Sequence, residues 1–350
     1  MKKILLVKLS ALGDVIFNIP LANILKKNGY EVHWLTTEKG IEIIKNNSCS
    51  DKTFFVPLYS LRKTFNPKYL FEIFKVISDI RKEHYDIAFD CQRRLKSLPF
   101  MLFSGAKRRV ITENAREFSR FGANEIVPSS ITGLNKHMVS VNLKYAKYLG
   151  LDVDNIKFSL PEQSEETKNK IQNFISNLPE PIVVIAPATT WAAKHWDAEN
   201  WKIVINSIKD KCSLVFTGTD VDKDLINEIG GDKFLNLAGK TNIKDLMELF
   251  KYTDIVITPD SGTAHVAWAS GNPAIIEVFC CTNPEIFGCF GNDKKYFTIS
   301  GKIPCQPCNK RHCKNKISPN QCTKNPSPEE VINILNQLLD KNLPNSFTVL

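Results

Sequence analysis

Short apolar runs alternate with amphipathic helical stretches along the whole chain, and that alternation restricts it to a parallel α/β architecture. In the first half ILLVKL (4–9), EVHWLTT (31–37), KTFFVP (52–57), DIAFDC (86–91) and RRVIT (108–112) read as strands. Between them, YLFEIFKVISDIRKEH (69–84) has helical spacing and predicts a buried face carrying Leu70, Phe71, Phe74, Ile77 and Ile80. Pro20 falls inside the first helical pattern and should restart it. After the polar segment LPEQSEETKNK (160–170) the alternation begins again. PIVVIAPA (181–188), SLVFTGT (213–219), KFLNLAG (233–239), DIVITPD (254–260) and PAIIEVFC (273–280) read as strands. Helices are expected near 136–149, 197–210, 221–229, 243–252 and 262–270. With 350 residues to place, two domains are expected, 1–165 and 166–327. Residues 328–350 form a terminal helix, opened by the cap Ser327-Pro328-Glu329-Glu330.

Composition narrows the class. Hydrophobic residues at 43% and charged residues at 24% describe a water-soluble globular protein. No apolar run approaches the roughly 20 residues that span a bilayer. The start, MKKILLVK, breaks its apolar run at Lys8, too soon for a secretory signal. A cytoplasmic protein is expected. Charge is uneven: residues 1–150 hold 25 Lys/Arg against 13 Asp/Glu, and residues 151–350 hold 21 against 24. The first half is therefore expected to meet an anionic partner. Its aromatic residues are not interleaved with the basic ones in any nucleic-acid-binding module, so nucleic acid is not the expected partner.

Four strand-end loops carry the polar residues from which a site could be built. Ser10-Ala11-Leu12-Gly13-Asp14 follows the first strand. Asp14 there is either a helix-start acid or a general base taking a proton from an attacking hydroxyl. In APATTWAAKHWDAENW (186–201), Thr189, Thr190 and Lys194 precede a helix, and a lysine with hydroxyls beside a helix start suits a phosphate. Packing by Trp191, Trp196 and Trp201 accounts for much of the same stretch. TPDSGTAHVAWASGNP (258–273) delivers Asp260, Ser261, Gly262 and His265 to a helix N-terminus whose N–H groups at 261–264 are expected to face an anion. Thr217-Gly218-Thr219-Asp220 is a weaker candidate for a ribose. There is no Walker loop and no G-x-G-x-x-G.

KILLVKLSALGDVIFNIP, ATTWAAKHW and VITPDSGTAHVAWASGNP, with DCQRRLKS and NAREFSRFGAN between them, together resemble glycosyltransferase family 9, the ADP-heptose:lipopolysaccharide heptosyltransferases. The TTxxxKHW form looks more like the type I enzymes, which act on Kdo attached to lipid A. The resemblance implies a GT-B fold: two Rossmann-like domains facing a central cleft, with the last helix returning toward the first domain. It implies an inverting, metal-independent transfer of heptose from ADP-heptose to the Kdo/heptose inner core. An alternative is another nucleotide sugar or acceptor, or a non-catalytic homologue that only binds the sugar nucleotide. Carried over, Asp14 and Lys194 would be catalytic. Ser10, Gly13, Thr189, Thr190, Asp220, Thr241, Asp260, Ser261, Gly262 and His265 would bind the donor. Arg62, Lys63, Arg93, Arg94, Lys96, Arg116 and Arg120 are the candidates for an anionic lipid A-Kdo or inner-core acceptor, which would bring the protein to the inner face of the membrane. Phe17 stands where the family commonly has His, and Arg93 where it commonly has Gly.

Ten cysteines are present, and seven lie between residues 280 and 322. Cys49, Cys91 and Cys212 read as small hydrophobes. Cys305-x2-Cys308-x4-Cys313-x8-Cys322 reads either as a structural zinc site or as reduced thiols. It is expected to lie away from the chemistry and to stabilise a loop.

Overall fold

The computed structural model describes residues 1–128, 130–131, 135–291 and 293–340. The chain divides into two units, residues 1–162 and 163–350, each with one six-stranded parallel sheet. In the first unit β1 (Lys3–Val7), β2 (Glu31–Thr36), β3 (Lys52–Phe55), β4 (Ile87–Asp90), β5 (Arg108–Thr112) and β6 (Glu125–Val127) lie in the order β3-β2-β1-β4-β5-β6. In the second, β7 (Ile182–Ile185), β8 (Ser213–Phe216), β9 (Leu235–Asn236), β10 (Ile255–Pro259), β11 (Ala274–Phe279) and β12 (Tyr296–Ser300) lie in the order β12-β11-β10-β7-β8-β9. Counted from each unit's first strand, the two orders are the same.

The central strands are apolar throughout because helices cover both faces of a doubly wound sheet. Ile182, Val183, Val184 and Ile185 of β7 are all buried, as are Ile4, Leu5, Leu6 and Val7 of β1. In each sheet the order in which strands are added reverses once. In the first unit the reversal lies between β1 and β4, paired Ile4 to Ile87; in the second it lies between β7 and β10, paired Val183 to Ile255. Loops beyond the carboxyl ends at such a point diverge and leave a crevice, the usual ligand position in open α/β sheets.

Pro20 restarts the first helix as expected: Leu12–Ile16 ends, and Ile19–Lys27 begins with Pro20 in its first turn. One expectation is corrected. On helix Pro67–Arg81 the inward residues are Ile73, Val76, Ile77 and Ile80, whereas Leu70, Phe71 and Phe74 are exposed, the two rings at 73% and 69%. The spacing i, i+3, i+4, i+7 from Ile73 sets the buried face, and the large aromatics sit to its side. Helix Pro328–Leu339 belongs to the second unit: Val331 and Leu335 enter its core beside helix Ala198–Ile208. The remainder of the expected terminal segment, residues 341–350, lies outside the described residues.

Candidate active site

In the first unit the loop after β1 meets the loop after β4. The Gln92 side-chain carbonyl accepts the N–H groups of Leu9 (2.9 Å) and Ser10 (3.0 Å), which ties the two loops together. Asp14 sits in the first turn of helix Leu12–Ile16 and accepts the Ala11 N–H at 3.1 Å, so the helix-start role is real. Its other oxygen lies 3.4 Å from Lys8 Nζ, and the carboxylate keeps 34% of its surface exposed. Lys8 is buried and also donates to the Cys91 carbonyl at 3.1 Å. Burial works against ionising Asp14, but the Lys8 ammonium, the Ala11 N–H and the Arg93 charge together hold its carboxyl below the usual range. Burial conversely pulls the Lys8 ammonium down, with Asp14 opposing that shift.

Two further cations stand near this carboxylate. Lys96 donates to the Ser10 hydroxyl, and burial followed by repulsion from Lys8 lowers its pKa. Arg93 is only 7% exposed, and its Nη1 has no hydrogen-bond partner. Its backbone adopts φ +58°, the left-handed region that a glycine enters without strain. The N–H groups of Gln92 and Arg93 close onto Asp90 Oδ1 at 3.0 and 2.8 Å, and Ser97 donates to Oδ2 at 2.8 Å. Burial still pushes the Asp90 carboxyl up to about 6. Three cations against the carboxylates of Asp14 and Asp90 leave a net positive pocket, which is chemistry for an anion.

The other basic candidates are distributed around that loop or apart from it. Arg94 pairs with Glu117 at 2.5 Å, and the Arg116 N–H donates to the Arg93 carbonyl at 3.1 Å. Arg120 is exposed and donates to the Glu113 carbonyl. Arg62 and Lys63 are exposed on helix Leu58–Thr64. Phe17 is buried and meets His137 edge-on, with ring centres 5.2 Å apart. Ser10 and Gly13 were expected among the donor residues; both stand in this unit with Asp14.

In the second unit the loops after β7 and β10 converge in the same way. Lys194 Nζ lies 2.6 Å from Asp260 Oδ2, with both side chains largely buried. The Thr282 hydroxyl, at the end of β11, donates to that oxygen at 2.5 Å. Thr189 Oγ1 donates to the Asp260 carbonyl at 3.2 Å, and His195 Nε2 meets the Thr189 carbonyl at 2.7 Å. His265 Nε2 is 3.9 Å from Asp260 Oδ1. Lys194 also sits over the Trp191 ring at 4.7 Å, so its chain is held from two sides. Trp196 and Trp201 are core residues, 5.0 Å apart edge-to-face.

Ser261 caps helix Gly262–Ser270 by accepting the Ala264 N–H at 3.2 Å. The expectation that all the N–H groups at 261–264 face an anion is therefore corrected at Ala264. Thr190 is exposed. Asp220 is exposed and paired with Lys223 at 2.8 Å, against the turn at Gly239, and Thr241 Oγ1 donates to the Leu237 carbonyl. Both lie beyond β8 and β9, on the outer half of the sheet.

Sequence reasoning missed four polar residues of these crevices: Lys8, Gln92, Glu277 and Thr282. Glu277 is buried in mid-strand, and its carboxyl is pushed well up by burial and by Asp260 beside it. Asp260, His265 and Glu277 bring ligand atoms within 4.8 Å of one another, a geometry open to a cation; the Lys194 ammonium already supplies positive charge there. The signal was available, since an acid inside AIIEVF and a lysine inside ILLVKL are costly to bury and need a reason.

The cysteine cluster is not remote. Cys305, Cys308, Cys313 and Cys322 line one cavity together with Ala193, the residue before Lys194. Burial and then the neighbouring Cys308, Cys313 and Cys305 push the Cys322 thiol up to about 11. Cys49 and Cys91 are buried as expected, and Cys212 is partly so.

The family model for "Glycosyltransferase family 9 (heptosyltransferase)" matches residues 73–318. Lipopolysaccharide heptosyltransferase 1 of Campylobacter coli is 24% identical over 303 residues, covering 78% of this chain and 82% of that protein. Among solved structures, a family 9 glycosyl transferase from Veillonella parvula superposes with TM-score 0.78 at 19% identity, covering 97% and 98% of the two chains. E. coli heptosyltransferase WaaC with ADP gives TM-score 0.73 at 19% identity, covering 96% and 99%. Two doubly wound units with this strand order constitute the GT-B fold, and the chain belongs to glycosyltransferase family 9, the heptosyltransferase family.

Proposed function

We propose that this protein transfers a heptose from ADP-heptose to a Kdo-bearing lipopolysaccharide inner-core acceptor, with inversion at the anomeric carbon and without a catalytic metal. The observation that carries the reading is the paired chemistry of the two crevices: an ionised carboxylate among cations in one, and a buried lysine–aspartate pair in the other. The acceptor hydroxyl binds at Asp14, which takes its proton as the oxygen attacks the anomeric carbon. The bond from that carbon to the diphosphate breaks on the opposite face, and ADP leaves with the electron pair. Lys194, held by Asp260, offsets the charge growing on the departing phosphate, a role a divalent cation fills elsewhere. Thr189, Ser261, Gly262 and the N-terminus of helix Gly262–Ser270 support the diphosphate. Asp220 and Thr241, on the outer half of the sheet, serve the nucleoside.

Lys8, Arg93 and Lys96 suit an acceptor carboxylate or phosphate, and the unpartnered Arg93 Nη1 supports that reading. The acceptor's lipid anchor places the enzyme at the inner face of the cytoplasmic membrane. The supporting surface is Phe65, Leu70, Phe71 and Phe74, all exposed, on a segment that also carries Arg62, Lys63, Lys68 and Lys75. No helix among the described residues is long and apolar enough to cross a membrane.

The test is a transfer assay with ADP-heptose and Kdo-lipid A, run with wild type and Asp14→Asn. Product formation by the wild type and its loss in the variant are expected. A wild type that turns over only a different nucleotide sugar removes the heptose assignment, and a variant of undiminished turnover removes Asp14 as base.

A further inference from the structure

Glu277 is fully buried in β11, a strand whose every residue is buried. An acid there is costly unless something uses it. Register sets it beside Thr258 of β10 and Thr298 of β12. Thr258 Oγ1 meets the Ser261 hydroxyl at 3.0 Å, so Glu277 adjoins the polar contact that opens helix Gly262–Ser270. Ligand atoms of Asp260, His265 and Glu277 lie within 4.8 Å of one another.

The ammonium of Lys194 is already matched by Asp260 at 2.6 Å. A second carboxylate beside that pair would leave a buried negative charge unmatched. Burial and then Asp260 push the Glu277 carboxyl well up, against the pull of Lys194, so the group keeps its proton. Its partners say which oxygen carries it. Cys289 Sγ donates to Oε2 at 3.9 Å, and burial keeps that thiol neutral, which marks Oε2 as an acceptor. Oε1 has no hydrogen-bond partner among the described residues and is left to carry the hydrogen. On the receiving side, Asp260 Oδ2 is taken by Lys194 and Thr282. Asp260 Oδ1 lies 3.9 Å from His265 Nε2, inside the same cluster. An ionised carboxylate is the strongest acceptor there.

We propose that Glu277 is a positioning residue of the donor site: its acid hydrogen is given to Asp260 Oδ1, and Asp260 so held aims Lys194 at the leaving phosphate. The role rests on the donor-site reading of Lys194. A hydrogen bond from a neutral acid draws negative charge from Asp260, so Asp260 orients the ammonium and leaves more of its charge for the phosphate. An ionised Glu277 would do the reverse and compete for Lys194.

The test compares Glu277→Gln with Glu277→Leu in the full chain. The amide can accept from Cys289 and donate to Asp260, so Glu277→Gln should match the wild type in kcat and in calorimetric affinity for ADP. Glu277→Leu should lose about 10–10²-fold in kcat, bind ADP several-fold more weakly and keep the acceptor KM. It should nevertheless melt no lower than the wild type, because an apolar residue of similar volume suits a buried site. Glu277→Met, unbranched like the acid, gives the same contrast if leucine strains the strand. In the infrared, at a pH above the Asp90 range, the wild type should show the carbonyl band of a protonated carboxylic acid that Glu277→Gln lacks. Wild-type kcat and ADP affinity in the apolar variants overturn the positioning role. A Gln variant as impaired as Leu, or no difference in the acid band, overturns the neutral acid and makes Glu277 a carboxylate paired with His265. If the wild type binds ADP but transfers no heptose, the proposed function falls, and the ADP affinities alone decide the role of Glu277.

Discussion

Lys194 Nζ and Asp260 Oδ2 lie 2.6 Å apart with 15% and 4% of their side chains exposed, and Thr282 donates to the same carboxylate oxygen. Removing one partner of a buried pair strands the other charge and typically costs about 3–5 kcal/mol, whereas removing both costs much less. Lys194→Met and Asp260→Asn should each lower the denaturation midpoint clearly, with the double variant recovering a substantial part. Urea unfolding of the four proteins in a double-mutant cycle measures this. In the transfer assay no recovery is expected: Lys194→Met should lose roughly 10²–10³-fold in kcat, alone or combined, because the charge it offers the leaving phosphate is gone.

Asp14 provides the pH prediction. Its carboxyl is held below the ordinary aspartate range by Lys8, the Ala11 N–H and Arg93, which outweigh burial. A general base must be ionised, so activity is present above the depressed pKa and falls as pH drops through it. The acid limb of kcat/KM assigned to Asp14 should therefore lie below about 3.9, the unperturbed value, and move upward in Lys8→Met. Asp14→Asn should cost about 10²–10⁴-fold in kcat, with circular dichroism showing the fold retained.

Arg93 combines a left-handed backbone with a buried guanidinium. A residue with a Cβ pays about 1–2 kcal/mol in that region, so Arg93→Gly should be more stable than Arg93→Ala by about that amount. Both should raise the acceptor KM and leave the donor KM alone. Equal stability of the two variants in thermal melts would remove the strain argument.

The rings of Phe71 and Phe74 stand 73% and 69% exposed beside Lys68 and Lys75. Sedimentation with vesicles containing anionic lipid should recover the wild type at low salt. Phe71→Ser/Phe74→Ser should weaken that recovery several-fold while turnover of a delipidated soluble acceptor stays the same. Equal recovery of both proteins would place membrane contact elsewhere.

Much of this architecture was legible because the central strands are buried on both faces and their apolar runs are unbroken. The edge strands β6 and β12 were not recognised; EIV is only three residues long, and YFTIS is largely half-exposed. Asp14, Lys194 and Asp260 stood out because each follows a recognisable strand. Lys8 and Glu277 did not, since a polar residue inside an apolar run is absorbed by the strand reading, and only the fold shows which loop it faces. The tilt of helix Pro67–Arg81 was misjudged because hydrophobic weight favoured its phenylalanines, whereas packing favoured the branched residues between them.

Both sheets are wired in the same order, and each is complete within one uninterrupted stretch of chain. Among the described residues no strand of the first unit pairs with one of the second. During synthesis the first 162 residues can therefore close their sheet, and bring Gln92 onto the backbone of Leu9 and Ser10, before the strands of the second unit have all emerged from the ribosome. A ribosome stalled once residue 162 has cleared the exit tunnel should hold a nascent chain whose amino-terminal half already resists protease.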